Sequence, residues 1–184
     1  MTSYFKSILT ITIITITAGV MLALSHNATR DKIAYQERQE VLNALKAVLP
    51  VHDNEPDKDV IVKDGIKIYV GKNNGEITGY AVNVIETSGY SGAISVLTGV
   101  DKKGLISGVA IVYHSETPGL GDKIEDSEFL QSFEGLNIND RIAVKKDGGE
   151  IEQFSGATIS PRAVSKAVKK SLEIIIKAAG LEND

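Results

Sequence analysis

The rhythm of apolar and polar positions divides the chain into three stretches. No Asp, Glu, Lys or Arg occurs between Lys6 and Arg30, and Ile8 to Leu24 is apolar apart from threonines and one glycine. With the small polar residues at each end, this stretch reaches the roughly 20 residues that a membrane-spanning helix requires. The β-branched run Ile11-Thr12-Ile13-Ile14-Thr15-Ile16-Thr17 also fits a buried strand. Length argues for a helix, because strands seldom exceed about ten residues. From about Thr29 to Leu49, apolar residues at Ile33, Val41, Leu42, Leu45, Val48 and Leu49 approximate helical spacing, with charges between them. Pro50 ends that pattern. Val51 to Asp59 is polar and contains proline, so it reads as a loop.

The remainder is rich in strand signals. Val60–Val62 and Ile66–Val70 flank Asp64-Gly65, a hairpin signature. Ile77–Ile85 follows the turn Asn73-Asn74-Gly75. Ala93–Val100 and Leu105–Tyr113 flank Asp101-Lys102-Lys103-Gly104, a second hairpin signature. Ser127–Phe133 reads as a short helix and Arg141–Lys145 as a strand. Ser160 to Ala179 reads as a strong helix, with Ser160 as its N-cap, Pro161 at the first helical position and Gly180 as its stop. Consecutive strands with helices outside the run predict an α+β class. The expected organisation is an N-terminal tail and transmembrane helix over 1–27, a helix and linker over 28–59, and one domain over 60–184 with an antiparallel-rich sheet and flanking helices.

Composition narrows the function. The 184 residues are 42% hydrophobic and 24% charged, with a net charge of −4. No basic cluster is present, so a nucleic-acid partner is not expected. The absence of cysteine excludes disulfides, thiolate metal sites and cysteine nucleophiles. His26, His52 and His114 are widely separated and read as structural or solvated, so no metal site and no catalytic residue is assigned. In a helix, Ser3, Ser7, Thr10 and Thr17 fall on one side, which suits contact with another membrane helix. Ala23-Leu24-Ser25 resembles a signal-peptide cleavage site, but the region before it is only weakly basic. Lys6 and the amino terminus favour a cytoplasmic N-terminus, with the bulk of the chain outside the cytoplasm.

Candidate chemistry lies in three small-residue segments. Glu152-Gln153-Phe154-Ser155-Gly156-Ala157-Thr158-Ile159-Ser160-Pro161 is a turn leading into a helix start. Amides at such a start lack intrahelical acceptors, and the helix dipole favours an anion there, so phosphate is a natural ligand. Ser155, Gly156 and Ala157 keep the backbone uncovered, and Thr158 adds a hydroxyl that could hold or esterify a phosphate. Alone, the segment also fits an ordinary capped helix. The second segment is His114-Ser115-Glu116-Thr117-Pro118-Gly119-Leu120-Gly121-Asp122-Lys123, with a Pro-Gly turn and an open backbone at Gly121. The third is Ser88-Gly89-Tyr90-Ser91-Gly92, where Tyr90 could cover a flat ring or simply be half-buried.

In this order, and behind one membrane span, the two longer motifs resemble a known family over nearly the whole chain. The chain looks like the G subunit of the Rnf-type ion-translocating ferredoxin:NAD oxidoreductase. It is also similar to the related C subunit of the sodium-pumping NADH:quinone oxidoreductase. Asp122-Lys123 after Gly-Leu-Gly looks more like the Rnf member. The resemblance implies an FMN-binding domain with FMN joined to Thr158 as a phosphothreonyl ester. It also implies a magnesium-dependent flavin transferase that uses FAD as donor outside the cytoplasm. The transferase pattern has Asp three positions before Ser155, where this chain has Glu152. Ser155, Gly156, Ala157 and Ser160 would surround the phosphate, and Glu116, Thr117, Leu120, Gly121 and Tyr90 would bracket the rest of the flavin. The implied role is electron relay within a membrane redox complex of several subunits, in a single-pass inner-membrane protein whose flavin domain is extracytoplasmic. The alternatives are the quinone-reductase subunit and a membrane-anchored flavin-binding sensory module.

Overall fold

The computed structural model describes residues 2–181. Helix α1 runs over Thr2–Val48. The part up to Glu40 forms one unit and the part from Val41 belongs to a second. In the first unit the apolar side chains from Ile8 to Leu24 are exposed, and the helix is long and apolar enough to cross a membrane. Its threonines resolve the helix-or-strand ambiguity locally. The hydroxyls of Thr10, Thr12, Thr15 and Thr17 donate to the carbonyls of Lys6, Ile8, Ile11 and Ile13, one turn back, at 2.8–2.9 Å. The hydroxyls expected to face a neighbouring helix at Thr10 and Thr17 therefore bond within their own helix. The Ser3 side chain of that expected face lies outside the described residues.

The second unit is α+β. Strands β1 (Val60–Lys63), β2 (Ile66–Asn73), β3 (Glu76–Glu86), β4 (Ile94–Asp101) and β5 (Ile106–Tyr113) form one antiparallel sheet in the order β1-β2-β3-β4-β5. Two of its turns are set by sequence. Asp64-Gly65 has φ of 52° and 77°, and Asn74-Gly75 has φ of 51° and 81°. Two consecutive positive φ values define the type I′ hairpin, whose twist matches that of the strands it joins. Helices α2 (Ser127–Gln131) and α3 (Ile159–Ala179) complete the unit. Helix α3 buries Val164, Ala167, Val168, Leu172 and Ile175 on a single stripe against Val82, Val84, Ile94 and Val96 of the sheet. Gly180, at φ 66°, ends it and donates its N–H to the Ile176 carbonyl.

The opposite sheet face packs against the end of α1. Leu45, Val48 and Leu49 bury against Ala81 and Leu97. Covered on both sides, β4 is buried over nearly its whole length, which explains its run of apolar and small residues. Glycines make the close approach possible. A Cβ at Gly99 would lie 2.1 Å from the Val48 carbonyl oxygen, and one at Gly108 would lie 2.9 Å from Val48 Cα.

Arg141–Lys145 is not a strand. The segment folds back on itself, with Lys145 N–H donating to the Ile151 carbonyl at 2.8 Å and Ile151 N–H to the Ala143 carbonyl at 3.0 Å. Gly148, at φ 79°, turns the chain immediately afterwards. On the outer edge of β5, Ile106 is paired with Gly135 and Leu136 instead. An apolar alternation of five residues therefore satisfies its backbone locally.

Candidate functional site

Three chain segments meet at the start of α3. The first is the turn before it. Ala157 N–H donates to the Phe154 carbonyl at 3.1 Å, and Gly156 takes a φ of 83°. A single positive φ at the third turn position is the glycine-specific place of a type II turn. The helix begins at Ile159, with Thr158 in the cap position, so the expectation of Ser160 as N-cap is corrected. The Ser160 hydroxyl is unavailable for capping because it points into the protein and donates to Glu116 Oε2 at 2.6 Å. Pro161 sits in the third helical position, still within the turn where no intrahelical N–H bond is required. Thr158 makes no side-chain capping bond, leaving its hydroxyl at the helix mouth without a partner among the described residues. The amides of Thr158, Ile159 and Ser160 share the lack of intrahelical acceptors that every helix start imposes.

Ion pairs brace this turn. Arg162 grips Asp147 with two hydrogen bonds of 2.6 and 2.8 Å, and the Arg162 guanidinium holds the Asp147 carboxyl below the usual carboxylate range. Lys145 pairs with Glu152, and Lys146 N–H donates to Gln153 Oε1 at 3.0 Å. The acidic side chain at the head of the motif is thus an ion-pair partner on the surface.

The second segment is the 116–121 loop. Thr117 accepts backbone N–H bonds from Leu120 and Gly121 at 3.2 and 2.9 Å. Gly119, at φ 76°, donates its N–H to Asp122 Oδ2 at 2.9 Å. Behind the loop, Glu116 N–H donates to His114 Nδ1 at 3.0 Å, and His114 Nε2 lies 3.0 Å from Glu125 Oε1. That network assigns the ring proton to Nε2. His114 therefore reads as a strut.

The third segment, 88–92, follows β3. The buried Glu86 carboxylate accepts the Ser88 N–H and hydroxyl at 3.1 and 2.6 Å, and Lys166 Nζ lies at 3.1 Å. Burial raises the Glu86 pKa, but the bonds from Ser88 and Lys166 outweigh it and hold the group below its ordinary value. Farther along, Ser91 N–H donates to Glu116 Oε1 at 3.1 Å. Tyr90, between these two anchors, is 69% exposed.

A cleft of about 230 Å³ opens between the three segments. Nine of the ten residues expected at the site line it: Tyr90, Glu116, Thr117, Leu120, Gly121, Gly156, Ala157, Thr158 and Ser160. Ser155 is exposed on the turn and does not line the cleft. Ile159 lines it without having been expected. Its place directly after Thr158 was the available signal, hidden by the N-cap chemistry of Ser160. Glu86 and Lys166, which brace the 88–92 segment, carried no motif that could have shown them. The cleft is smaller than the roughly 300–1,000 Å³ that encloses a whole cofactor. It suits one end of a larger ligand, with the rest lying against the exposed rim of Tyr90 and Leu120. An unengaged hydroxyl, helix-start amides and a glycine-uncovered backbone fit a phosphate at the α3 end of the cleft.

Comparison with known proteins agrees with this geometry. Residues 89–173 match the FMN-binding domain family. Curated relatives align over most of the chain. The G subunit of the ion-translocating oxidoreductase complex of Aliivibrio fischeri strain MJ11 is 39% identical, covering 94% of this chain and 90% of the relative. The protein of the same name from Stutzerimonas stutzeri is 42% identical, covering 84% and 73%. Among solved structures, Shewanella oneidensis NqrC shares the fold at a TM-score of 0.50 and 20% identity, over 64% of this chain and 61% of that one.

Proposed function

The chain belongs to the G-subunit family of ion-translocating oxidoreductase complexes, and we propose that it is the membrane-anchored flavin subunit of such a complex. The observation that carries this reading is the Thr158 hydroxyl. It stands without a capping bond at the mouth of the cleft, beside helix-start amides and behind the open turn at Gly156. In the proposed site, FMN is held covalently as a phosphoester of Thr158. Attachment forms a bond between Thr158 Oγ and the phosphorus of the flavin mononucleotide unit. The bond from that phosphorus to the AMP of FAD breaks, AMP leaves, and the hydroxyl proton passes to the separate flavin transferase.

When bound, the flavin supplies electron-transfer chemistry in one- or two-electron steps. The protein's contribution is placement. The amides of 158–160 hold the phosphate, and the Gly121 and Gly156 backbones admit the chain beyond it. Tyr90 and Leu120 flank the outer part. An esterified cofactor does not exchange, and in the proposed role the protein relays electrons between carriers of its complex and turns over no free substrate by itself. The donor and acceptor proposed for the whole complex are ferredoxin and NAD. The proposed topology is a single pass with a cytoplasmic N-terminus, which places the flavin domain on the outer side, where the transferase acts. A role as the C subunit of the quinone reductase would retain the site and change the partners.

The test is intact-mass analysis of the protein from its native membrane. A gain matching esterified FMN, absent from Thr158→Ala, is the expected result. An unmodified native chain would refute the proposal.

A further inference from the structure

We infer that Glu116 is a positioning residue, whose buried carboxylate joins the three walls of the cleft and fixes their geometry, instead of contacting the bound group. The inference rests on the flavin reading of the cleft. Glu116 is 5% exposed. Its two oxygens accept from two different walls: Oε1 from Ser91 N–H at 3.1 Å, and Oε2 from the Ser160 hydroxyl at 2.6 Å. Its own backbone belongs to the third wall, where its N–H is held by His114 Nδ1. The donors lie 25 and 44 residues away in sequence, so one side chain closes two long loops.

Glycines enclose the carboxylate. A Cβ at Gly89 would lie 2.7 Å from Oε1, and one at Gly121 would lie 2.9 Å from Oε2. Both backbones therefore pack directly on the oxygens, and with Glu116 5% exposed little of the carboxylate is open to the cleft it lines. A carboxylate suits the place because it accepts at both ends and donates at neither. Ser160 is 2% exposed and sits in the first turn of α3, two residues from Thr158. The Glu116–Ser160 bond thus sets where Thr158 stands relative to the 116–121 loop.

Side-chain chemistry separates this role from a direct contact. In Glu116→Gln, the amide oxygen still accepts Ser91 N–H, and the amide nitrogen donates to Ser160 Oγ once that hydroxyl rotates. Both contacts survive and the charge is lost, while the rotated Ser160 proton gives up the carboxylate acceptor it had. In Glu116→Leu, the Ser91 N–H and the Ser160 hydroxyl lose their acceptor, each a cost comparable to a hydrogen bond.

The experiment follows flavin incorporation into the detergent-solubilised full chain, incubated with flavin transferase and FAD. Intact mass is read over time, and visible circular dichroism is recorded on the loaded protein. The expected result is a clearly smaller defect in incorporation and dichroism in Glu116→Gln than in Glu116→Leu. Glu116→Leu should lose about fivefold or more in incorporation rate, the effect of about one kcal/mol, with weakened dichroism from whatever flavin is loaded. Equal defects in both variants would overturn the inference in favour of a direct contact. Wild-type behaviour of Glu116→Leu would overturn it outright. If Glu116→Leu does not fold, Ser160→Ala decides: slowed incorporation with an unchanged melting profile supports the inference, and wild-type incorporation sinks it. Failure of the wild-type chain to load would count against the flavin reading itself.

Discussion

The Ser107 hydroxyl donates to the Val48 carbonyl at 2.6 Å, between two glycines of adjacent strands, Gly99 and Gly108. This bond fastens the last turn of α1 to the sheet. The nearest atom to a Cβ at Gly99 is that same backbone carbonyl, which no rotamer change can move. Gly99→Ala should therefore destabilise the domain by about 3 kcal/mol, the upper range for overpacking. Ser107→Ala, which loses one hydrogen bond, should cost about 1 kcal/mol. The chain has no tryptophan, so pulse proteolysis in urea is the suitable readout.

Thr158 offers a separation of function from stability. Its hydroxyl makes no capping bond. Thr158→Val should leave the unfolding free energy within about 0.5 kcal/mol of wild type while abolishing in-gel flavin fluorescence under denaturing conditions. Thr158→Ser, which keeps a hydroxyl, should retain part of the fluorescence.

Gly156 is constrained by backbone conformation and not by space. Its φ is 83°, and the nearest atom to a Cβ there is Leu120 Cδ1 at 3.8 Å. Gly156→Ala should cost about 1–2 kcal/mol through left-handed strain alone. It should also slow flavin incorporation, because the turn it strains presents Thr158. Denaturant unfolding of the unloaded chain, compared with a mass time course, separates the two effects.

Acid stability should report on Glu86. Burial pushes its carboxyl up, but Ser88 and Lys166 outweigh burial and hold the folded pKa below the ordinary 4.5. The unfolded chain thus binds this proton more readily than the folded one. The stabilisation is fully present above about pH 4.5 and is lost as pH falls through the lower folded value. Lys166→Met removes one of the stabilising partners and brings the folded value closer to the unfolded one, so the variant should be less stable than wild type at pH 6, and the gap should narrow as pH falls below about 4.5. Melting temperature measured from pH 6 downward tests this, and coincident curves would contradict it.

Much of the fold was legible because its signals are local. Asp64-Gly65 and Asn74-Gly75 fix their turns through residue chemistry alone, and the apolar stripe of α3 follows from helical spacing. Errors arose where the partner a group takes cannot be read from its own residue type. Ser160 has the chemistry of an N-cap, yet a carboxylate 44 residues away claims its hydroxyl. Arg141–Lys145 alternates like a strand, but its hydrogen bonds return to its own continuation at Glu150 and Ile151. The lining of the cleft was legible through its small residues, which leave a backbone bare. The bracing by Glu86, Lys166 and the His114–Glu125 pair was not, since charged residues at such spacing also describe any solvated surface.

The four threonines of the apolar stretch of α1 have one more consequence. With Thr10, Thr12, Thr15 and Thr17 each bonded one turn back, these positions satisfy their donors within the helix. In hydrocarbon, none of these four donors seeks a mate, so turning the segment about its long axis breaks none of their bonds. A neighbouring helix would meet contour here, the alternation of isoleucine bulk with threonine notches, and hydroxyl oxygens that can accept a bond but have already given their own proton.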